Sequence, residues 1–406
     1  MTERQMPILL VVDDEPFMLK LIIHMLANLG FFQVTGCSSG QAALEWVDQS
    51  DSPPDIILCD LNMPEMDGIE FLRKLVEHGY GGSLILVSGE GERMLQTVEV
   101  LALAHHIKLL GHLNKPVPPA ALAAMLEKWS PVSPRIRRTV EQVYGADAVR
   151  DAIANDELVN YYQPKVAVAS GRVIGVEALV RWRHPRDGMV FPDRFIGVAE
   201  EHGLIDELTR VVMIGALAQT KIWQDAGLML RVAINISMDN LSSVEFVNHV
   251  VGQTAAAGVT PRDVVLEVTE SRLMKDIRAP LEILTRLRMQ RFRLSIDDFG
   301  TGHSSLSQLR DIPFDELKID RGFVHGAWAN QTVQTIYDAS LRLARQFGME
   351  TVAEGVEDQE DWEFLRRTGC DLAQGYFIAK PMPAADLPGW IEVWQGRERE
   401  WAAVVA

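Results

Sequence analysis

The 406-residue sequence has little cysteine and no long hydrophobic run. Its three cysteines, Cys37, Cys59 and Cys370, lie far apart in apolar segments and form no C-x-x-C pair. Neither a disulfide framework nor a thiolate metal site is therefore expected. No stretch of about 18 apolar residues occurs, so a transmembrane helix is not expected, and the first residues turn acidic too early for a signal peptide. These absences favour a cytoplasmic protein with reduced cysteines.

Basic residues are scarce relative to acidic ones. The sequence contains 39 Lys and Arg against 56 Asp and Glu, for a formal net charge of −17. A broad basic surface for nucleic acid is thus not expected, and we predict no direct DNA binding. With 47% hydrophobic and 23% charged residues, the composition is typical of a globular protein. An anionic substrate would require metal ions to offset the charge of the protein.

The length accommodates two hydrophobic cores, and the pattern along the chain predicts two domains. Residues 6–128 alternate short apolar runs with amphipathic stretches, which predicts an α/β domain with a doubly wound, flavodoxin-like parallel sheet. Prolines and a short basic run in residues 129–147 predict a linker. Residues 148–396 contain eight strand candidates, mostly separated by amphipathic stretches, and predict a (β/α)8 barrel of the TIM type.

Polar residues end several predicted strands of the first domain. They are Asp13, Asp14, Asp60, Ser88 and Lys115. Ligand sites of open α/β sheets lie at the carboxyl ends of their strands. Three carboxylates there would repel one another unless a hard cation such as Mg²⁺ lies between them, with Lys115 as a fixed positive charge. Each aspartate alone could be a helix cap, but the set predicts a site that accepts and binds a phosphoryl group.

These motifs, VVDDEP, CDLNMPEMDG, LVSG and NKP, resemble the receiver domain of two-component response regulators. The resemblance implies that Asp60 is the phosphoacceptor and that Asp13 and Asp14 hold Mg²⁺. It also implies that Ser88 and Lys115 contact the phosphoryl group. A sensor histidine kinase or a phosphotransfer protein is the implied partner.

In the second predicted domain, polar residues come late in six consecutive apolar runs. They are Glu177, Asn235, Glu267, the pair Asp297 and Asp298, the pair Lys318 and Asp320, and Glu354. Catalytic residues of (β/α)8 enzymes lie at the carboxyl ends of the strands. Glutamate is a poor helix cap, so the three glutamates favour one shared site over capping. The alternative is a barrel whose carboxylates only cap helices or pair with Arg181, Arg183 and Lys318.

The donor atoms of this set favour a hard metal ion. One all-oxygen set consists of Glu177, Asn235, Glu267 and Asp297, which suits Mg²⁺ or Mn²⁺ and not zinc. Asp298 and Glu354 could hold a second ion. In two-metal sites one ion activates water and the other stabilises the leaving oxygen, so the set predicts phosphodiester hydrolysis. Lys318 could orient the water or lower its pKa.

The second segment contains the motifs YYQPK, EALVRW, INIS, EVTE, IDDFGTGHSS, LKID, AEGVE and QGYF. By these motifs it is similar to the EAL domain, the family of cyclic di-GMP phosphodiesterases. The resemblance implies that the barrel hydrolyses cyclic di-GMP to pGpG with two Mg²⁺ or Mn²⁺ ions. It also implies a homo-oligomer, a dimer or larger, that forms through the barrel.

The same resemblance assigns roles residue by residue. The first ion is held by Glu177, Asn235, Glu267 and Asp297. Asp298 bridges or binds the second ion, and Lys318 and Glu354 position or deprotonate the attacking water. Substrate contacts are assigned to Gln163, Arg181, Asp320 and Gln374. Glu270 matches the glutamate that anchors the loop after Asp298.

Two histidines depart from the patterns of these families. His112 stands where receivers usually have an aromatic switch residue, and His303 stands where EAL domains commonly have tyrosine. A histidine at either position could add a pH dependence that an aromatic residue lacks. Two other functions stay open: a receptor that binds cyclic di-GMP without cutting it, and a scaffold that sequesters a kinase through the receiver. The direction of control by phosphorylation does not follow from these motifs.

Overall fold

A computed structural model of the chain describes residues 6–50, 53–78, 80–89, 108–129, 144–269, 278–300 and 306–405. The chain divides into two compact units, one ending at Val140 and the other beginning at Glu141. Each unit has a hydrophobic core of its own. The predicted linker bounds stay predictions, because residues 130–143 lie outside the described ranges.

The first unit is a five-stranded parallel sheet in the order β2-β1-β3-β4-β5. Its strands are β1 (Leu9–Val12), β2 (Val34–Cys37), β3 (Ile56–Asp60), β4 (Ser83–Ser88) and β5 (Lys108–Asn114). Its described helices are α1 (Pro16–Asn28), α2 (Gly40–Gln49), α3 (Gly68–Glu77) and α4 (Pro119–Glu127). This confirms the predicted doubly wound parallel sheet.

Both faces of this sheet are covered, as its interior strand β1 shows, because this strand is apolar at every position. In β1, Leu10 and Val12 pack in the core on the side of α2 and α3, while Leu9 and Val11 pack on the side of α1 and α4. Successive side chains of a strand point to opposite faces, so a continuous apolar run buries both faces. Polar residues that end these strands therefore lie at the carboxyl edge of the sheet.

The second unit is a closed barrel with helices around it. Its strands are β6 (Leu158–Ala167), β7 (Val173–His184), β8 (Gly188–Val190), β9 (Arg231–Ile236), β10 (Val264–Thr269), β11 (Arg293–Phe299), β12 (Glu316–Ile319), β13 (Glu350–Ala353), β14 (Leu372–Ala373) and β15 (Met382–Pro383). The strands β8 and β15 lie outside the ring, and the other eight close it in the order β6-β7-β9-β10-β11-β12-β13-β14. The predicted eight-stranded barrel is thus confirmed.

The described helices of this unit lie before, between and after the strands. They are α5 (Ala146–Ala154), α6 (Ile196–Glu201), α7 (Ile205–Asp225), α8 (Glu245–Ala257), α9 (Arg278–Met289), α10 (Leu306–Asp311), α11 (Arg321–Val324), α12 (Gln331–Phe347), α13 (Gln359–Thr368) and α14 (Leu387–Val405). Short 3₁₀ turns span Pro192–Arg194, Met238–Ser242 and Pro261–Asp263. No helix in the described part of the chain has both the length and the apolarity needed to cross a membrane.

One strand of the barrel runs in the opposite direction to the rest. β6 pairs antiparallel with both β7 and β14, whereas the remaining barrel pairs are parallel. The reason is the short connection of residues 168–172 between β6 and β7, since parallel neighbours need a crossover of a dozen residues or more. A side chain further along β6 therefore lies deeper in the barrel.

The helix α12 illustrates how local sequence signals set the elements around the barrel. The Asn330 side chain caps it by accepting hydrogen bonds from the amides of Thr332 and Val333. The helix ends at Gly348, whose φ of 70° lies in the left-handed region that favours glycine. Between these ends, Tyr337 and other residues on one face are buried.

Alternation along the strands separates the core from the site. In β10, Val264, Leu266 and Val268 belong to the core shared with the surrounding helices, whereas Glu267 between them is also buried but is not part of that apolar core. Residues i and i+2 of a strand share a face. The hydrophobic residues thus support the barrel from outside, and the acidic residues face its interior.

We predict that Leu266→Ala destabilises the barrel by about 2–5 kcal/mol, because a fully buried side chain is removed and a cavity is left. Urea denaturation followed by fluorescence of the buried barrel tryptophans measures this loss. The control is Met229→Ala, since Met229 is 71% exposed and its truncation should change stability by no more than about 0.5 kcal/mol. Equal unfolding midpoints for both variants would contradict the assigned core.

Candidate functional site

The barrel strands bring the predicted acidic residues to one end. Glu177 lies in β7, Asn235 in β9 and Glu267 in β10, and the ladder places Glu267 opposite Asn235. Asp297 and Asp298 lie near the end of β11, Lys318 lies in β12, and Glu354 follows β13. Six strand ends therefore meet at one site, as the sequence pattern predicts.

The Lys318 ammonium lies at the centre of this cluster. Its Nζ is 2.7 Å from an oxygen of Glu354, 2.9 Å from Glu267, 3.0 Å from Asp297 and 3.6 Å from Glu177. The lysine side chain is 1% exposed. Burial disfavours its charge, but these four carboxylates raise the pKa of Lys318 well above its usual value. The lysine is therefore a permanent cation in the site.

The Glu177 carboxylate has three polar neighbours, which are Asn235, Gln374 and Lys318. Its Oε1 accepts a hydrogen bond from Asn235 Nδ2 at 2.7 Å, and its Oε2 accepts one from Gln374 Nε2 at 2.7 Å. Burial opposes ionisation, but Lys318, Lys165 and these two hydrogen bonds together lower the pKa of Glu177 to about 2. A carboxylate with this pKa is ionised and ready to bind a cation at neutral pH.

The two glutamines predicted to contact substrate are linked to each other. Gln374 Nε2 also donates to Gln163 Oε1 at 2.9 Å, and Gln163 Nε2 donates to the carbonyl oxygen of Ala379 at 3.0 Å. Both glutamines are buried. They fix the side of the site that adjoins Glu177.

Three carboxyl groups of the site lie close together. Oxygens of Asp297, Asp298 and Glu354 lie within 4.8 Å of one another. Asp298 has a φ of 55°, in the left-handed region, and its amide donates to Asp297 Oδ1 at 2.9 Å. A non-glycine residue in this region is uncommon and indicates a local constraint. The strained backbone places two adjacent aspartates in the same site.

Burial makes two of these acids weak. Together with the charges of Asp297 and Glu177, it raises the pKa of Glu354 to about 8, although Lys318 opposes the shift. Burial and Asp297 also raise the pKa of Asp298 to about 6. Burial likewise raises the pKa of Glu267 to about 7, against the effect of Lys165 and Lys318. The interior thus contains more acidic groups than its lysines can balance.

A groove of about 240 Å³ opens beside this cluster. Its lining includes Gln163, Glu177, Glu354 and Gln374, all predicted from the sequence, and also Arg321 and Tyr376, which were not. Arg321 directly follows the LKID motif and pairs with Glu357 at 2.6 Å. Its only sequence signal is this position, which does not reveal that its side chain faces the groove.

The other two predicted substrate residues have different surroundings. Arg181 is 8% exposed, donates to the carbonyl oxygen of Val180 at 2.8 Å and lies over the rings of Tyr161 and Phe191. Burial lowers its pKa. Asp320 caps α11, where its Oδ1 accepts a hydrogen bond from the amide of Gly322. Glu270 and His303 lie outside the described residues.

The predicted phosphoryl site of the first unit is also assembled. Lys115 Nζ lies 2.7 Å from Asp60 Oδ2 and 3.0 Å from Asp13 Oδ2, and oxygens of Asp13, Asp14 and Asp60 lie within 4.8 Å of one another. Burial opposes the ammonium charge, but Asp60 and Asp13 raise the pKa of Lys115. Ser88 is fully buried at the end of the neighbouring strand β4.

Two further features of this unit are the raised pKa of Asp13 and the position of His112 in β5. Burial raises the pKa of Asp13, while hydrogen bonds from Lys115 and the Glu15 amide oppose the rise. His112 is half-buried in β5, where it pairs with Leu86 of β4. His112 therefore lies on the strand that leads to Lys115, and its role as a switch residue stays a prediction.

Comparisons with known proteins match both units to families. Residues 146–381 match the EAL domain, and residues 9–127 match the response regulator receiver domain. The chain belongs to the EAL domain family. Its N-terminal unit is a receiver domain, so both resemblances inferred from the motifs are confirmed.

The chain is also similar to individual proteins and solved structures. Over 377 residues the chain is 33% identical to the cyclic di-GMP phosphodiesterase RocR of Pseudomonas aeruginosa, covering 92% of this chain and 96% of RocR. It is 40% identical to the bifunctional diguanylate cyclase/cyclic di-GMP phosphodiesterase MucR of the same organism, but it spans only 36% of that protein. A solved PaMucR phosphodiesterase structure with c-di-GMP aligns at a TM-score of 0.57 and 40% identity, covering 59% of this chain and 98% of that one.

The donor set of the EAL site fits hard divalent cations. The site contains carboxylate and amide oxygens, which Mg²⁺ and Mn²⁺ prefer. Its closest group of acids, Asp297, Asp298 and Glu354, is compact enough to share an ion. The buried carboxyl groups outnumber the nearby lysines, so cations would relieve the repulsion between them.

We predict that Mn²⁺ binding to the EAL site releases protons and becomes tighter as the pH rises from about 6 to about 8. The carboxyl groups of Glu354 and Asp298, with pKa values of about 8 and about 6, must lose their protons to bind a cation. Titration calorimetry in two buffers with different ionisation enthalpies counts the released protons. Glu354→Gln should release fewer; an affinity independent of pH would refute the prediction.

Proposed function

We propose that this chain is a two-component response regulator whose EAL domain hydrolyses cyclic di-GMP to 5′-pGpG under the control of phosphorylation at Asp60. The observation that carries the proposal is the meeting of Lys318 with four carboxylates at one end of the barrel, beside a groove. The similarity to RocR, a cyclic di-GMP phosphodiesterase by name, over 92% of the chain supports it.

The metal ligands follow from the donor set. We assign one Mg²⁺ or Mn²⁺ ion to Glu177, Asn235, Glu267 and Asp297, and a second to Asp298 and Glu354. When bound, the two ions would supply Lewis acidity, which polarises the phosphodiester and stabilises the charge on the leaving oxygen. The low pKa of Glu177 supports its assignment as a ligand.

Glu354 and Lys318 are assigned to the activation of the attacking water. A water oxygen forms a bond to phosphorus, the bond from phosphorus to the ribose 3′ oxygen breaks, and a proton ends on that 3′ oxygen. Glu354, at the edge of the groove, takes a proton from the water, and Lys318 holds Glu354 through a contact of 2.7 Å. Linear pGpG is the product.

Substrate contacts are assigned to four residues, of which Gln163 and Gln374 line the groove. Arg181 can pair with a phosphate through the N–H groups that do not contact Val180, since guanidinium matches phosphate geometry. Gln163 and Gln374, which hydrogen-bond each other, supply polar contacts on the same side. Asp320 is assigned to the guanine or metal side of the site.

Asp60 is the phosphoacceptor in this proposal. Its carboxylate is buried at the end of β3 and paired with Lys115, and Asp13 and Asp14 would hold Mg²⁺. A phosphoryl group would carry additional negative charge and acceptor oxygens for Lys115 and Ser88. A sensor histidine kinase or phosphotransfer protein is the proposed donor, and a homo-oligomer through the EAL domain completes the proposal.

Glu354→Ala should lower kcat for cyclic di-GMP by about 10²- to 10⁴-fold, the usual contribution of a general base. The rate of pGpG formation, followed by chromatography in Mg²⁺, measures the effect. Glu363→Gln is the control, because Glu363 is an exposed residue of α13. Unchanged turnover in Glu354→Ala would refute the site, and tight binding by the wild type without product would identify a receptor.

Asp60→Asn should abolish the change in turnover that beryllium fluoride or acetyl phosphate produces, without changing basal turnover, because the acceptor carboxylate is lost while the EAL site is intact. The readout is the ratio of rates with and without the phosphoryl donor. Asp48→Asn is the matched control, since Asp48 pairs with His78 away from the proposed acceptor. A response that survives in Asp60→Asn would move the phosphoacceptor elsewhere.

A further inference from the structure

A second layer of buried charge lies beneath the EAL site. Lys165 Nζ is 2.5 Å from Glu267 Oε1 and 3.0 Å from Glu316 Oε1. Glu316 Oε1 also accepts a hydrogen bond from Ser295 Oγ at 3.0 Å. All four residues are buried, with side-chain exposures of 5% for Lys165 and 2% or less for both glutamates. Neither Lys165 nor Glu316 has a part in the proposed chemistry.

The reversed strand β6 explains why these residues meet. Gln163 pairs with Glu177, and Lys165 pairs with Gly175, two residues further from the carboxyl end of β7. Lys165 therefore shares the inward face of Gln163 one layer deeper. On the other side of the barrel, Glu316 lies two residues before Lys318, and Ser295 is in register with both Glu267 and Glu316.

Stability alone does not explain this arrangement. Replacing a buried ion pair with apolar residues of similar volume is often neutral or stabilising, because the desolvation of two charges offsets their attraction. A barrel interior needs only side chains that fill it. The contact that distinguishes Lys165 is its bond to Glu267, a residue of the site above.

Lys165 and Lys318 each contact a different oxygen of the Glu267 carboxylate. Lys165 contacts Oε1 from below, and Lys318 contacts Oε2 at 2.9 Å from within the site. A carboxylate bound at one oxygen can still rotate about its last bond. Bound at both, it presents a single orientation to the site.

We propose that Lys165, held by Glu316 and Ser295, is a positioning residue that fixes the Glu267 carboxylate in the orientation required for metal binding. The inference rests on the proposed function, which assigns Glu267 as a ligand. Partners that hydrogen-bond to a metal ligand typically change metal affinity 10- to 100-fold when they are removed. Loss of Lys165 should therefore weaken metal binding by about this factor.

The test replaces the whole pair, so that no unpaired charge is left beside it. Lys165→Met combined with Glu316→Leu keeps the volume of the interior. All chains carry Asp13→Asn, which removes the proposed metal site of the receiver. Titration calorimetry measures Mn²⁺ affinity without substrate, and thermal unfolding without metal measures stability. The matched control is Arg231→Met with Glu350→Leu, which removes a 2.6 Å ion pair at the starts of β9 and β13 and also the 2.7 Å contact of Glu350 with Arg293.

The expected result is a folded double variant that binds Mn²⁺ about 10- to 100-fold more weakly, while the control variant binds it normally. The Mn²⁺ concentration needed for half-maximal cyclic di-GMP turnover should rise by the same factor. Normal Mn²⁺ affinity in the Lys165 and Glu316 variant would overturn the positioning role and leave the proposed function standing. A parent Asp13→Asn chain that neither binds Mn²⁺ nor turns over substrate would overturn both.

If the double variant does not fold, Lys165→Arg provides the second measurement. Arginine keeps the positive charge beside Glu267 but changes the position of the donor atoms. The positioning role predicts weaker Mn²⁺ binding in this variant as well. Normal Mn²⁺ affinity in a folded Lys165→Arg variant would overturn the requirement for a fixed donor.

Discussion

A single buried ammonium group makes the EAL site possible. Glu177, Glu267, Asp297 and Glu354 come from four different parts of the barrel wall, and each has an oxygen within 3.6 Å of Lys318 Nζ. Like charges at such distances repel strongly in an interior of low dielectric constant. The lysine relieves this repulsion only in part, because burial, together with the charges of Asp297 and Glu177, still raises the pKa of Glu354. The same excess of acid is what suits the site to divalent cations.

In the receiver domain, a lysine likewise lies between neighbouring carboxylates that repel each other, although the fold is different. Asp13 and Asp60 end neighbouring strands of its sheet, and Lys115 lies between them with contacts of 3.0 and 2.7 Å. In both domains the parallel strands bring acidic side chains together at the carboxyl ends of the strands. A lysine from a further strand end then compensates their charge. Convergence of strands and compensation of charge together account for both sites.

The reversal of β6 gives the barrel two layers of polar side chains. Gln163 takes part in the upper layer through Gln374, while Lys165 pairs with Glu316 in the lower layer and with Glu267 of the upper one. A polar residue at this depth must find partners, because an unpaired buried charge is strongly destabilising. The deeper layer therefore supports the upper one, and the orientation of Glu267 depends on lysines from both.

The sequence by itself determined the two-domain organisation, the fold of each domain and most of the residues in both sites, because strands alternate with period two and polar residues mark their ends. It did not reveal Lys165, although YYQPK places it two residues after Gln163 on the same face. Its partner Glu316 lies 151 residues away, and their contact exists only where the closed barrel brings β6 near β12. The left-handed backbone of Asp298 and the position of Arg321 at the groove were likewise decided by tertiary structure, since packing and not local preference sets them.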